Sequence, residues 1–186
     1  MFDKNPARQD GVTPLSIAAQ NGHYEICKLI ITNVDDKNLA RSDGTTPLHF
    51  ATSNGYFKIC KIIISNVDDK NPANNDGVTP LFEAAQQGNC EIFKLEFESL
   101  GKNNKNPRTN SGNTPLHAAA RNGQLEICKI VLEEVDDKNP AMDDGWTPLN
   151  LAAKNGHLEI FKLISEKVSN ISISSLIWTS IKNLWK

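Results

Sequence analysis

The sequence is poor in aromatic residues, in net charge and in long apolar runs, and each shortage excludes a class of protein. Phe, Trp and Tyr make up only 6% of the chain, so the core must come mainly from Ile, Leu, Val and Ala. Lys and Arg number 20 against 22 Asp and Glu, which matches neither a basic nucleic-acid binder nor an acidic tail. No stretch reaches the roughly 18 consecutive apolar residues that a membrane-spanning helix needs.

Targeting and cofactor motifs are also missing from the sequence. The segment 1–6 has no apolar run behind a basic start and does not resemble a signal peptide. We therefore expect a cytoplasmic protein, with the nucleus or secretion as an effector left open. The sequence contains neither a GxxxxGK[ST] nor a GxGxxG phosphate-binding motif, and we expect no cofactor.

Cysteine and histidine spacing predicts neither a metal site nor catalysis. The four cysteines include no CxxC pair, so we expect no zinc and four free thiols, as in a reducing compartment. No carboxylate or nucleophile stands near the four histidines with the spacing of a catalytic motif, and we predict that the chain is not an enzyme.

What the sequence does contain is an internal repeat. Thr-Pro-Leu occurs five times, with Thr at positions 13, 46, 79, 114 and 147, at successive spacings of 33, 33, 35 and 33 residues. Each copy predicts two short helices: Thr is a good N-cap, Pro suits the first helical position, and a Gly nine residues after the Thr ends the first helix. The linkers between copies are polar and are interpreted as solvated turns.

The patterns Gly-x-Thr-Pro-Leu-His, Ala-Ala-x-x-Gly-His and Glu-Ile-x-Lys-Leu resemble the ankyrin repeat, whose period is about 33 residues. The resemblance implies an all-α repeat solenoid, an ankyrin stack of helix-turn-helix units with β-hairpin loops and a concave binding face. It also implies that His49 and His117 bond to the backbone of a neighbouring repeat. We expect five repeats and then a C-terminal amphipathic capping helix, at approximately 7–39, 40–72, 73–107, 108–140, 141–168 and 169–186.

The C-terminal segment 169–186 leaves the repeat pattern and carries apolar residues at helical spacing. A helix packed on the fifth repeat is the favoured interpretation. A membrane-surface helix usually carries more Lys and Arg than the two in this segment, and a partner-binding or self-association helix is the third possibility.

The linkers depart from the family pattern where the second helix ends. The usual Gly is replaced by Val, as at Val34 and Val135, and a β-branched residue opposes positive φ. We therefore expect Asn33 and Asn66 to take over the turn after their helices.

The third repeat departs most from the pattern, because Glu83 and Glu96 stand where the other copies are mostly apolar. Its loop is also longer, giving the 35-residue spacing. The repeat is either a solvated, loosened unit or, alternatively, a hinge or a ligand-specific bulge. A buried carboxylate needs a partner, and the cations near in sequence are Lys94, Lys102 and Lys105.

The resemblance implies a non-catalytic scaffold that binds a partner protein or peptide through its hairpin tips and short first helices. Most residues at those positions are small or polar, but repeats four and five carry Trp and Arg, which are enriched at binding hot spots. The predicted partner-binding residues are Arg108, Arg121, Trp146, Lys154, Asn113 and Met142. Three of them are cationic and one is a large aromatic, so we expect an acidic partner segment with an apolar anchor. The competing interpretation is that Trp146 only packs over the next hairpin.

The alternative function is that of an ankyrin portion of a larger channel, enzyme or host-directed effector whose activity lies outside this chain. The chain opens within a linker, without a helix pair ahead of it, which favours this alternative somewhat. In either case we expect no nucleic-acid or membrane partner, and a monomer rather than an oligomer.

Overall fold

The computed structural model describes residues 5–34, 36–101 and 104–168, and these form ten α-helices in five consecutive pairs. The chain divides into two compact units, Met1–Leu100 and Gly101–Lys186. The helices of the first unit are α1 (Pro14–Gln20), α2 (Tyr24–Ile31), α3 (Pro47–Ser53), α4 (Phe57–Ile64), α5 (Pro80–Gln87) and α6 (Cys90–Ser99). Those of the second are α7 (Pro115–Asn122), α8 (Leu125–Glu134), α9 (Pro148–Lys154) and α10 (Leu158–Lys167).

Within each unit the first helices pack on one another, and so do the second helices. In the first unit α3 lies between α1 and α5, and α4 lies between α2 and α6; in the second unit α7 packs on α9 and α8 on α10. The predicted all-α repeat fold is confirmed for the described residues. The expected helix at 169–186 lies outside them, and the repeat boundaries stay a prediction.

Every first helix begins at the Thr-Pro step. Each Thr has an extended backbone, which suits an N-cap, and the Thr13 hydroxyl accepts the N–H of Ser16 at 3.1 Å. In α3 and α7 the third helical residue is His, and its ring completes the cap. The Thr46 N–H donates to His49 Nδ1 at 3.1 Å, and Thr114 and His117 repeat the bond at the same distance.

The linker asparagines also fix the start of the first helices, a role that the sequence analysis did not identify. Asn71 Oδ1 accepts the N–H of Leu81 at 3.0 Å, which satisfies a backbone donor in the first turn of α5. Bonds of the same length join Asn5 to Leu15 and Asn139 to Leu149. These linker residues are therefore structural caps as well as turn residues.

The second helices end without a glycine of positive φ in the described residues. Val135 follows α8 in an extended conformation, with φ of −89° and ψ of 148°, so this valine avoids positive φ. Asn33 and Asn66 act through their side-chain amides, which donate to the carbonyls of Leu29 at 2.7 Å and Ile62 at 2.9 Å. Carbonyls of the last turn are satisfied in this way.

The expected β-hairpins take the form of tight turns, and the described residues contain no β-strand. In the first repeat the Arg8 N–H donates to the Val12 carbonyl at 2.9 Å and closes the turn. One backbone bond, from the Ser42 N–H to the Asp10 carbonyl at 3.0 Å, joins this turn to the next. A single bond between neighbouring turns does not make a β-ladder.

The lysines suggested as partners for the two glutamates of the third repeat make no ion pair with them among the described residues. Lys94 is exposed, and Lys105 pairs with Glu134 at 3.1 Å. Lys102 lies outside the described residues. Glu96 is nevertheless completely buried, and both glutamates are bonded to hydroxyl groups of α3.

No helix in the described residues is long and apolar enough to cross a membrane.

Replacing Glu96 with Ile should stabilise the protein, because Ile occupies the equivalent buried positions Ile63 and Ile164. A buried carboxyl group is costly to desolvate. We expect Glu96→Ile to raise the free energy of unfolding by about 1 kcal/mol or more at pH 8, measured by urea denaturation. The exposed Glu98→Ile is the matched control. A destabilised Glu96→Ile would show that the carboxyl group is needed for folding.

The four cysteines are free thiols, and three of them are buried. Burial raises the pKa of Cys27 to about 11 and the pKa of Cys60 and Cys128 to about 12. Because the thiolate is the reactive form, we expect alkylation of the native protein at pH 8 to label only the half-buried Cys90 rapidly. Mass spectrometry should find all four labelled after denaturation. A pair that stays protected in denaturant would contradict this prediction.

Candidate partner-binding site

All six predicted partner-binding residues lie in the second unit. They occupy the turns that precede α7 and α9 and the C-terminal ends of these two helices. Arg108 and Asn113 precede α7, Met142 and Trp146 precede α9, and Arg121 and Lys154 lie on α7 and α9. We call these six residues the Trp–Arg surface.

Trp146 is held beside a cation of its own repeat. Lys154 Nζ lies 4.6 Å from the centroid of the Trp146 ring, within the range of a cation–π contact. The backbone N–H of Trp146 donates to Asp144 Oδ1 at 3.1 Å, which closes the turn before α9. The ring is half-buried and the lysine is exposed, so an aromatic and a cation stand together at this surface.

Arg121 connects the turns of the two repeats. Its Nη2 lies 3.3 Å from Asn113 Oδ1 and 4.0 Å from Met142 Sδ. Asn113 is buried and anchored, because its amide Nδ2 donates to Ser111 Oγ at 2.9 Å. The guanidinium group is therefore positioned by a rigid neighbour, while the arginine stays exposed.

Arg108 also reaches the adjacent repeat, where its guanidinium donates to the carbonyl of Ala141. The structure thus brings together two groups of predicted residues. One contains Arg121, Asn113 and Met142, and the other contains Trp146 and Lys154. Arg108 is tied to the residue next to Met142.

The cations of this surface differ from those at the turns of the first unit. There, Arg8 pairs with Asp10 and Arg41 pairs with Asp43, each at 3.9 Å. In the described part of the chain, none of the three cations of the Trp–Arg surface makes an ion pair with a carboxylate. Their charge is therefore available to a ligand.

A neutral histidine holds the backbone of Trp146 from the α7 side. His117 Nδ1 accepts the Thr114 N–H, so Nε2 carries the proton and donates to the Trp146 carbonyl at 3.3 Å. The pKa of His117 is lowered to about 4, mainly by burial and in smaller part by the charges of Arg108 and Arg121. The predicted bond from this ring to a neighbouring repeat is present, as is that from His49 to the Val78 carbonyl at 3.0 Å.

His157 is a supporting residue that the sequence analysis missed. Its Nε2 lies 3.1 Å from the carbonyl of Arg121, at the end of α7. The ring fits there because position 123 is Gly, since a Cβ at this position would lie 2.8 Å from His157 Cε1. The only sequence signal was the His that follows a Gly, and that pattern indicated no more than a helix start.

Neither the cavities nor the acidic residues outside this surface define a second candidate site. An open cavity of about 620 Å³ in the first unit lies between the linkers after α2 and α4, and is lined by polar residues that include Asp36, Asp68 and Asp69. Among the residues that the structure describes, no group of three or more His, Cys, Asp or Glu side chains is placed to hold a metal ion.

A family model described as ankyrin repeats (three copies) matches residues 15–96 and 96–175. Because the matches cover more than half of the chain, the chain belongs to the ankyrin-repeat family, as the sequence predicted. Ankyrin repeats generally serve as protein–protein interaction modules, and the family is typically non-catalytic. No curated protein matches the chain.

The neutral state of His117 predicts a loss of stability in acid. The unfolded imidazole binds a proton near pH 6.5, whereas the folded ring resists protonation until about pH 4. We therefore expect the α7 amides to become less protected from hydrogen exchange as pH falls from 6.5 to 4. The free energy of opening should decrease by at most about 3 kcal/mol. Hydrogen exchange should show a weaker pH dependence in His117→Gln. An equal dependence in both proteins would contradict this account.

Proposed function

We propose that this protein is a non-catalytic scaffold that binds a partner protein or peptide through the Trp–Arg surface of its second unit. The observation that carries the proposal is that three exposed cations and a half-buried tryptophan lie at the turns and helix ends of repeats four and five, with Lys154 against the indole ring. None of the three cations makes an ion pair with a carboxylate among the described residues. Trp and Arg are the residues most often found at interface hot spots.

The chemistry of the surface favours an acidic segment with an apolar anchor. The cations Arg108, Arg121 and Lys154 can pair with carboxylates of the partner, and bidentate pairing suits the two guanidinium groups. The apolar anchor would contact Trp146 and the neighbouring Met142, both of which are half-buried. The cations at the rim would mainly speed association and set its dependence on salt.

The surface is ordered before a partner binds. Asn113 positions Arg121, and His117 bonds to the backbone of Trp146. Side chains that are already fixed lose less conformational entropy on binding, which favours affinity. Positions equivalent to Trp146 and Arg121 in the first repeat are Val12 and Gln20, which offer neither an indole nor a cation. The cytoplasmic location and the monomeric state stay predictions.

The Trp–Arg surface predicts which substitutions abolish binding. Partners recovered by affinity purification with the wild type should be lost with the Trp146→Ala/Arg121→Ala double variant. For an identified partner, Trp146→Ala alone should weaken Kd by about 30-fold or more, equivalent to about 2 kcal/mol, in isothermal titration calorimetry.

The matched control is the Val12→Ala/Gln20→Ala double variant, which changes the equivalent positions of the first repeat. Circular dichroism must show that each variant keeps its helical content. The proposal fails if the control abolishes binding while the folded Trp146→Ala/Arg121→Ala protein keeps its affinity.

A further inference from the structure

One carboxyl group of the third helix pair is withdrawn from water inside the first unit, and a second is half-buried. Glu96 on α6 has an exposed fraction of 0%, and Glu83 on α5 is half-buried. Buried carboxyl groups are rare unless they are paired with a cation. In the described residues neither of these two has such a partner.

Both carboxyl groups are bonded to hydroxyl groups of the second helix pair. Glu96 Oε1 lies 2.5 Å from Thr52 Oγ1, and Glu83 Oε2 lies 2.5 Å from Ser53 Oγ. Thr52 and Ser53 are the last two residues of α3, so both bonds cross the contact between the second and third pairs. Asn89 adds a third bond across it, from Nδ2 to the Thr52 carbonyl at 3.4 Å.

The bonding pattern suits a neutral Glu96. The Thr52 hydroxyl donates to Glu96 Oε1 at 2.5 Å and also lies 3.6 Å from Cys60 Sγ. The second oxygen, Glu96 Oε2, is buried and has no hydrogen-bond partner. An ionised Glu96 would therefore place negative charge on an oxygen that no donor stabilises.

The elements packed against α5 and α6 bring no compensating charge. In the first unit these elements are α3 and α4. The titratable residue of α3 is His49, which bonds to Thr46 and to the Val78 carbonyl, and α4 directs Cys60 toward Glu96. The other charged residues of α4 and α6 are exposed: Lys58, Lys61, Glu91, Lys94 and Glu98.

Burial makes both carboxyl groups weaker acids than an ordinary glutamate. It raises the pKa of Glu96 to about 8 and the pKa of Glu83 to about 7, from an ordinary value of 4.5. The hydroxyl groups of Thr52 and Ser53, which donate to these carboxyl groups, oppose the rise in pKa. The charge of Glu83 contributes to the raised pKa of Glu96. Both groups are therefore neutral at pH 6 and ionise within the range of pH 7 to 8.

We propose that the contact between the second and third helix pairs is pH-responsive, held by the neutral carboxyl groups of Glu83 and Glu96 and loosened when they ionise. Below the pKa that the two carboxyl groups have in the unfolded chain, they are protonated in both the closed and the opened state, and the contact has its full stability. As pH rises toward 8, the opened state releases protons that the closed state keeps. The equilibrium constant for opening of the third pair then rises by up to about tenfold per pH unit for each carboxyl group that is still neutral in the closed state.

Hydrogen exchange of the intact chain at pH 6, 7, 8 and 9 tests the proposal. After correction for intrinsic exchange rates, protection of α5 and α6 should fall at least about tenfold between pH 6 and pH 8 in the wild type. The Glu96→Gln variant has a neutral amide of the same shape that cannot ionise, so its α5 and α6 should lose much less protection over this range. The exposed Glu98→Gln is the control and should behave as the wild type.

A second measurement keeps the proposal testable if Glu96→Gln does not fold. Carbon-13 chemical shifts of the glutamate side chains in the wild type report each ionisation directly. Glu83 and Glu96 should remain neutral at pH 6. The proposal is overturned by an ionised Glu96 at pH 6, or by equal protection of α5 and α6 at pH 6 and pH 8.

Discussion

One face of each helix pair can be buried only by packing against the pair before it. The other features of the structure depend on this constraint. The isoleucine near the start of the second helix shows it directly. Ile59, Ile92 and Ile160 are exposed by 2% or less, whereas the equivalent Ile26 is 49% exposed, because no described helix pair precedes α1. Stability in such an array is a sum of unit and nearest-neighbour terms, so a residue at a stacking position affects two repeats at once.

This constraint explains why the third pair tolerates its glutamates. At the position of Glu96 an ionised carboxylate would sit in a contact with no cation, whereas a neutral carboxyl group can bond to the hydroxyl of Thr52 on the neighbouring pair. The protonated side chain then joins two pairs, where Ile63 or Ile164 contributes only apolar burial. A glutamate instead of an isoleucine at this position therefore lowers the free energy of unfolding and makes it depend on pH.

Local features of the fold could be predicted from the sequence, and distant pairings could not. The Thr-Pro step caps a helix through bonds that span three residues, so its consequence is readable in each copy. Glu96 instead accepts a bond from Thr52, 44 residues earlier, whereas proximity in sequence had suggested lysines. The candidate site followed the same rule: register predicted which residues share a surface, but not that His157 supports Arg121 across 36 residues.

The two units differ in how their charge depends on pH. In the second unit Arg108 and Arg121 help to keep His117 neutral, so the positive charge of the Trp–Arg surface comes from Arg and Lys side chains alone. The first unit instead contains two carboxyl groups that ionise near neutral pH. A rise in pH from 6 to 8 therefore loosens the third helix pair through carboxyl groups that lie outside the Trp–Arg surface, which separates the proposed binding surface from the proposed pH response.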